Sequence, residues 1–242
     1  MKPLSITIII PVKDEEGNIL SLCAEIEKSM ETLKCSWNCL WIDDGSSDGS
    51  LDLLKHVRQK NPRHQFIVLE KNFGQSAAFM TGFHYAKGDL FVTLDADGQN
   101  NPHDIPVLVR HLLKTKADMV NGYRSKRRDS GVRKFSSKIG NFFRNWMTGD
   151  SIRDVGCSLR VFRRECVEGL FLFKGMHRFL PTLVRLNGFN HIEQIPVHHR
   201  ARHTGRSKYG IRNRLWVGLL DTLAVRWMKW RKVNPRVKST SL

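Results

Sequence analysis

Apolar runs alternate with amphipathic stretches from residue 5 to residue 124. SITIIIPV is a β-branched run closed near its end by a proline, the pattern of a buried strand. In the following DEEGNILSLCAEIEKSMETL, residues Ile19, Leu22, Cys23, Ile26, Met30 and Leu33 recur at helical spacing behind a cluster of acids suited to a helix N-terminus. NCLWIDD predicts a second strand, GSSDGS the turn after it, and SLDLLKHVRQK a second helix. QFIVLE, DLFVTLDAD and ADMVNGYR predict the third, fourth and fifth strands, with GQSAAFMTGFHYA and PHDIPVLVRHLLKT as the helices between them. Strand and helix taken in turn imply an α/β fold, a mostly parallel sheet flanked by helices.

Beyond residue 125 the alternation stops. RDSGVRKFSSKIGNFFRNWMTG predicts an amphipathic helix, with Phe135, Ile139, Phe142, Phe143 and Trp146 on one side and Arg133, Lys134, Asn141 and Arg144 opposite. VGCSLRVFRRE predicts a strand running into a turn, and HHRARHTGRSKYG a basic, glycine-containing loop. A last helix runs from Arg212 to about Lys232, followed by a loose tail. On that helix Leu215, Trp216, Leu219, Leu220, Leu223, Trp227 and Trp230 share one broad face; Arg214, Asp221, Lys229 and Lys232 lie on the other. An apolar stripe often faces a core. Three tryptophans ringed by cations tilt the balance to a lipid headgroup region. LWVGLLDTLAV is broken by Asp221 and is about half the ~20 residues a membrane span needs, so no transmembrane helix is expected. The apolar stretch after Met1 ends at Pro11 and Lys13, too soon for a secretory signal.

The length of 242 residues suffices for a buried core, and 40% hydrophobic with 26% charged is ordinary. The net charge of +17 is not, and it is unevenly placed. Residues 1–120 carry 13 Lys and Arg against 16 Asp and Glu; residues 121–242 carry 27 against 7. From Arg200 to Lys238 there are 12 cations and the single acid Asp221. The second half therefore expects an anionic partner: nucleic acid, a membrane surface or a phosphorylated substrate. Cys23, Cys35, Cys39, Cys157 and Cys166 form no CxxC pair, and no histidine has zinc spacing, so free thiols are expected.

Ligands of open parallel sheets bind beyond the carboxyl ends of the strands. PVKDEEGN, Asp43-Asp44 and Asp95/Asp97 all fall there, while GxGxxG after the first strand and GxxxxGKS are both absent. In LDADGQNNP, the carboxylates of Asp95 and Asp97, with Gln99 beyond them, are hard oxygen donors. They suit Mg²⁺ or Mn²⁺, which shares its remaining positions with substrate phosphates and water. The competing reading has one Asp capping the next helix and the other in solvent.

PVKDEEGNI, WIDDGSSDGS, NFGQSAAFMTG, LDADGQNNP, GYR, VGCSLRVFRRE, HRFLP and RHTGRSKYG occur in this order. Together they resemble the family-2 glycosyltransferases of the GT-A, nucleotide-sugar-binding fold. The resemblance is nearest to the polyprenyl-phosphate branch, dolichol-phosphate mannosyltransferases and undecaprenyl-phosphate glycosyltransferases, and covers about residues 5–232. It implies a metal-dependent enzyme that moves one sugar, with inversion, from a GDP- or UDP-sugar to a polyprenyl phosphate. It further implies that Pro11, Lys13, Glu15, Ile42 and Asp44 line the nucleoside pocket, though many relatives have an aromatic residue where this chain has Lys13. Asp95, Ala96, Asp97 and Gln99 would hold the metal and donor diphosphate, and Arg124, Arg202 and Lys208 would meet phosphates. Asp154 would orient acceptor or metal, or else cap a turn. No catalytic histidine is required, because a lipid phosphate is already anionic; His198, His199 and His203 are expected at the surface or near phosphate.

The implied organisation is a GT-A domain over 1–211, with a nucleotide-sugar half to about 124 and an acceptor half beyond, then a helix and tail over 212–242. Many relatives carry transmembrane helices after this region, so the expected setting is peripheral, on the cytoplasmic face of a membrane. An anionic lipid surface or an integral membrane partner would lead to the acceptor. The alternatives are a glycan or protein acceptor, or a basic nucleic-acid-binding protein. Against the last, the aromatics of the second half recur at helical spacing, and an acid-lined strand edge repels a phosphate backbone.

Overall fold

The computed structural model describes residues 3–125, 140, 143–171, 173–200 and 211–233, with backbone alone for 211–216. The predicted alternation is present. Strand β1 (Ser5–Val12) leads to α1 (Glu16–Met30), β2 (Ser36–Asp43) to α2 (Ser50–Lys60), β3 (His64–Val68) to α3 (Gln75–Tyr85), and β4 (Leu90–Thr93) to α4 (Ile105–Thr115). Then come β5 (Met119–Arg124), β6 (Arg160–Arg163), α5 (Leu180–Leu186), β7 (Ile192–Val197) and α6 (Ile211–Arg231). α5 and β7 were not predicted; β7 is only partly buried and lacks the continuous apolar run of β1.

The strands form one sheet in the order β3-β2-β1-β4-β6-β5-β7. All neighbours are parallel except β6, which runs antiparallel to both β4 and β5. Every other strand therefore ends at one edge, and β6 begins there. Arg160, its first residue, sits opposite Thr93 and Asn121.

Both faces of β1 are covered, which is why its sequence is a continuous apolar run and not an alternating one. Ile6, Ile8 and Ile10 pack towards α1 and α4, while Ile9 packs with Leu40, Ile42, Phe79 and Phe83 under α3. Each such side chain, fully buried, stabilises the fold by about 1.5–3 kcal/mol relative to exposure. Close contact on the second face depends on Gly82, where a Cβ would lie 2.2 Å from Ile9 Cγ2.

Two helices turn their described tryptophans outward. Residue 140 and residues 143–148 are helical; Phe135, Ile139 and Phe142 lie outside the described residues. Within 143–148, Arg144 is buried and Trp146 exposed. Arg144 points inward because Asp150 and Asp154 lie there. α6 presents Leu220, Leu223, Trp227 and Trp230 to the outside, with Trp227 61% and Trp230 80% exposed. Its opposite face, bearing Thr222 and the wholly buried Val225, docks on the core, and Asp221 packs over Gly175. Lys229 Nζ donates to the carbonyl of Thr148 at 2.7 Å, and Arg226 to that of Met147. Leu220, Leu223, Trp227 and Trp230 are thus not core; the side chains of Leu215 and Trp216 lie outside the described residues. Among the described residues, no helix is long and apolar enough to cross a membrane.

Candidate active site

The loops after β1 and β2 interlock at the strand-end edge. Asp14 adopts φ +52° and accepts from the N–H of Ser47 at 2.7 Å. Lys13 Nζ donates to Asp14 Oδ1 at 3.0 Å and to the Gly45 carbonyl at 2.8 Å, so it serves to join these loops. Glu15 donates its N–H to Ser50 and accepts from Asn18 at 2.6 Å. Pro11, half-buried, stands in register with Ile42. The Ile42 side chain is 0% exposed in the core beneath the edge, because β2 is covered on both faces. Asp44, also buried, accepts the backbone N–H groups of Phe73 (2.7 Å) and Gly74 (2.8 Å), tying the end of β2 to the start of α3.

β4 stops at Thr93, so the acid pair lies in the loop beyond the strand, four residues shorter than the predicted run to Asp97. Ala96 is buried between the acids. Asp97 Oδ1 accepts the N–H of Gln99 at 3.1 Å, and Asp95 Oδ1 accepts from Gln75 Nε2 at 2.7 Å. Burial, then the adjacent charge of Asp97, pushes the Asp95 carboxyl up to about 6. A hydrogen bond from Ser158 and the positive charges of Arg160 and Arg124 act in the opposite direction. Two adjacent carboxylates, one of them disfavoured in its charged form by the other, fit a divalent cation, whose charge offsets both. Among the described residues no group of three His, Cys, Asp or Glu is placed to hold a metal. The Asp95, Asp97 and Gln99 set offers two carboxylates and an amide, a donor set of the kind used by an ion that keeps positions for phosphate and water. Gln99 is further fixed by its carbonyl, which accepts the N–H of Arg200 at 2.8 Å.

Opposite the acids stand guanidinium groups. Arg124 donates to Asp154 through Nε (2.6 Å) and Nη2 (2.8 Å), and Asp154 also accepts the N–H groups of Arg124 and Gly156. The structure thus pairs two residues that were expected to act separately on phosphate and on acceptor or metal. Arg160 is 2% exposed. It donates to Asn121 Oδ1 (2.8 Å) and to the carbonyls of His177 and Val155. Three neutral acceptors leave its charge uncancelled by direct contact, within the field of Asp95 and Asp154. Ser158 is placed by Asn100 Nδ2 (2.6 Å) and by Thr93, which donates to its carbonyl.

After β7, His198 pairs with Asp104 at 2.8 Å, His199 forms a bridge with Asn100, and Arg200 makes a two-oxygen ion pair with Glu25. The chain is thereby anchored beside the acid loop just before residues 201–210. Arg202, His203 and Lys208 lie outside the described residues. Gln75, Asn121, Ser158, Arg160 and His177 were given no role from sequence. The usable signal was Arg160 itself, a cation between Leu159 and Val161 in an apolar strand, where burial demands partners.

A mostly parallel sheet carrying one antiparallel strand, with an acid pair in the loop after β4, defines the GT-A class of glycosyltransferase fold. Glucosyl-3-phosphoglycerate synthase from Mycobacterium tuberculosis, crystallised with Mn²⁺ and UDP-glucose, shares the fold. The TM-score is 0.68 over 92% of this chain and 79% of that one, at 18% identity. The chain belongs to glycosyl transferase family 2, whose pattern matches residues 7–171. It is 33% identical over 238 residues to the dodecaprenyl-phosphate galacturonate synthase of Rhizobium johnstonii, covering 97% of this chain and 70% of that protein. It is 38% identical over 205 residues to the undecaprenyl-phosphate 4-deoxy-4-formamido-L-arabinose transferase of Salmonella choleraesuis, covering 84% of this chain but 62% of that protein.

Proposed function

We propose that this protein is a metal-dependent, inverting glycosyltransferase that moves one sugar from a nucleotide diphospho-sugar to a polyprenyl phosphate at a membrane surface. The observation that carries the chemistry is the acid pair Asp95/Asp97, with Asp95 set in the field of the half-buried Arg124 and the buried Arg160. The named relatives supply the acceptor class.

Asp95, Asp97 and Gln99 hold Mg²⁺ or Mn²⁺, which when bound supplies positive charge to the leaving diphosphate. Pro11, Lys13, Glu15 and Asp44 form the nucleoside side through the interlocked loops they hold; Ile42 supports them from the core. Asp154 fixes the plane of the Arg124 guanidinium and so aims it at phosphate. Arg160 adds fixed positive potential that needs no reorganisation as charge develops. Arg202 and Lys208 supply further phosphate donors from the segment beyond Arg200. The acceptor phosphate is already an anion and attacks the anomeric carbon without a strong base.

The outward stripe of Leu220, Leu223, Trp227 and Trp230, with Trp146 and Phe143 exposed on the 143–148 helix, seats the protein on the lipid surface. Neighbouring cations each contribute about 1 kcal/mol near an anionic leaflet.

The test is a panel of GDP- and UDP-sugars assayed with a short polyprenyl phosphate, with and without Mn²⁺. Lipid-linked sugar formed from one donor, abolished by chelator, is the expected result. Transfer to water-soluble glycans in preference to the lipid phosphate would overturn the acceptor assignment; full turnover in chelator would overturn the metal.

A further inference from the structure

We infer that Gln75 is a positioning residue for Asp95: its side-chain amide orients the carboxylate toward the metal. The inference rests on the metal reading above and goes beyond it. Gln75 is the first residue of α3, and its Nε2 donates to Asp95 Oδ1 at 2.7 Å. Donation to Oδ1, with Ser158 as a second hydrogen-bond donor to the carboxylate, fixes its plane, as outer hydrogen-bond partners of metal ligands do.

The amide is delivered by a segment pinned on both sides. Before it, the N–H groups of Phe73 and Gly74 are both held by Asp44. Gly74 itself has φ +93° and ψ 160°, a conformation essentially confined to glycine, which sets the direction in which α3 leaves the edge. After it, Ser76 Oγ accepts the N–H of Gly175 at 2.9 Å and lies 2.8 Å from His177 Nδ1. Four consecutive residues, 73–76, thus touch the nucleoside-side acid Asp44, the metal-side acid Asp95 and the loop that carries His177. Gln75 makes no side-chain cap for α3, so helix formation does not account for its contact.

The experiment is a titration of the full chain with Mn²⁺ alone, followed by the loss of the free-ion EPR signal, alongside thermal melts in chelator. Gln75→Met keeps the bulk and removes the donor; Gln75→Ala guards against a methionine that does not pack. Both should weaken Mn²⁺ binding by about 10-fold or more, with melting temperatures within ~2 °C of the parent. Gln75→Asn, one methylene short, should fall between. Asp97→Asn should remove binding altogether. If Asp97→Asn loses Mn²⁺ while both Gln75 variants bind as tightly as the parent, Gln75 has no positioning role and the metal assignment stands. If parent and Asp97→Asn behave alike, the metal assignment fails and this inference fails with it.

Discussion

Replacing Asp154 by Asn keeps the shape of the side chain and removes its charge. Asp154 is 9% exposed and Arg124 15%, so neither can turn to water without moving the loop. The carboxylate takes four hydrogen bonds, two of them charge-assisted at 2.6 and 2.8 Å. It also lies in the field of Arg144 and Arg160, whose charged forms it favours. Removing one member of a buried ion pair costs about 3–5 kcal/mol. The slight exposure favours the lower end, about 3 kcal/mol. In a chain of this size that lowers the melting temperature by roughly 6–12 °C. The double variant Arg124→Met/Asp154→Leu leaves no orphaned charge at the pair and should lie within about 1 kcal/mol of the parent, although it is inactive. Urea and thermal unfolding of Arg124→Met, Asp154→Leu and the double, all in chelator, make a closed cycle with a coupling of about 2 kcal/mol or more. A single variant within ~0.5 kcal/mol of the parent, or a double equal to the sum of the singles, would refute the pairing.

The raised Asp95 carboxyl binds a proton in the folded chain that the unfolded chain has already released, so metal-free stability should fall as pH rises from about 4 through about 6. Asp95→Asn should therefore melt higher than the parent at pH 7 in chelator while being inactive; a lower melting temperature would contradict the assignment. In the parent, turnover should fall below about pH 6 as protons compete for Asp95, and added Mn²⁺ should move that limb to lower pH; a limb indifferent to Mn²⁺ excludes this competition. His64, buried, accepts from Trp41 Nε1 at 3.1 Å and donates through Nε2 to Glu27 at 3.0 Å. Burial lowers its pKa, so the unfolded chain binds the extra proton first, and stability should fall as pH drops below about 6.5. His64→Phe should flatten that slope, measured by urea unfolding from pH 7 to pH 5. On α6, Trp227→Ser with Trp230→Ser should cut co-sedimentation with anionic liposomes and leave the melting temperature unchanged, whereas Val225→Ala should cost about 2 kcal/mol. Unfolding of the tryptophan variant would show that the stripe is core after all.

The first five strands and four helices were legible because each buries a face, and burial imposes period 2 or 3.6 or a solid apolar run on the sequence. The acid pair was legible for a related reason: two carboxylates directly after an apolar strand need compensation. The partners of that pair were not legible. Gln75 and Asn121 read as ordinary polar residues, and only the sheet order brings Arg160 beside Thr93. The facing of α6 was legible only from the tryptophans and cations on its stripe, not from its periodicity. Periodicity reports that a helix has two unlike faces; it does not report which one the domain covers. Here the covered face carries Thr222, Val225 and Asp221, and Trp227 and Trp230 are left outside.

The antiparallel insertion of β6 also sets an order of events during synthesis. β4, whose four residues are all buried in the finished fold, is flanked on one side by β1 and on the other only by β6. Thr93 and its partner Ser158 are 65 residues apart, so at ~5–20 residues per second the ribosome needs roughly 3–13 s to supply the second after the first. Throughout that interval Leu90–Thr93 is an apolar strand with an open edge, and the acids beyond it lack Arg160. A nascent chain stalled near residue 150 is therefore prone to edge-to-edge aggregation. Completion of the site and closure of the sheet are one late, long-range step.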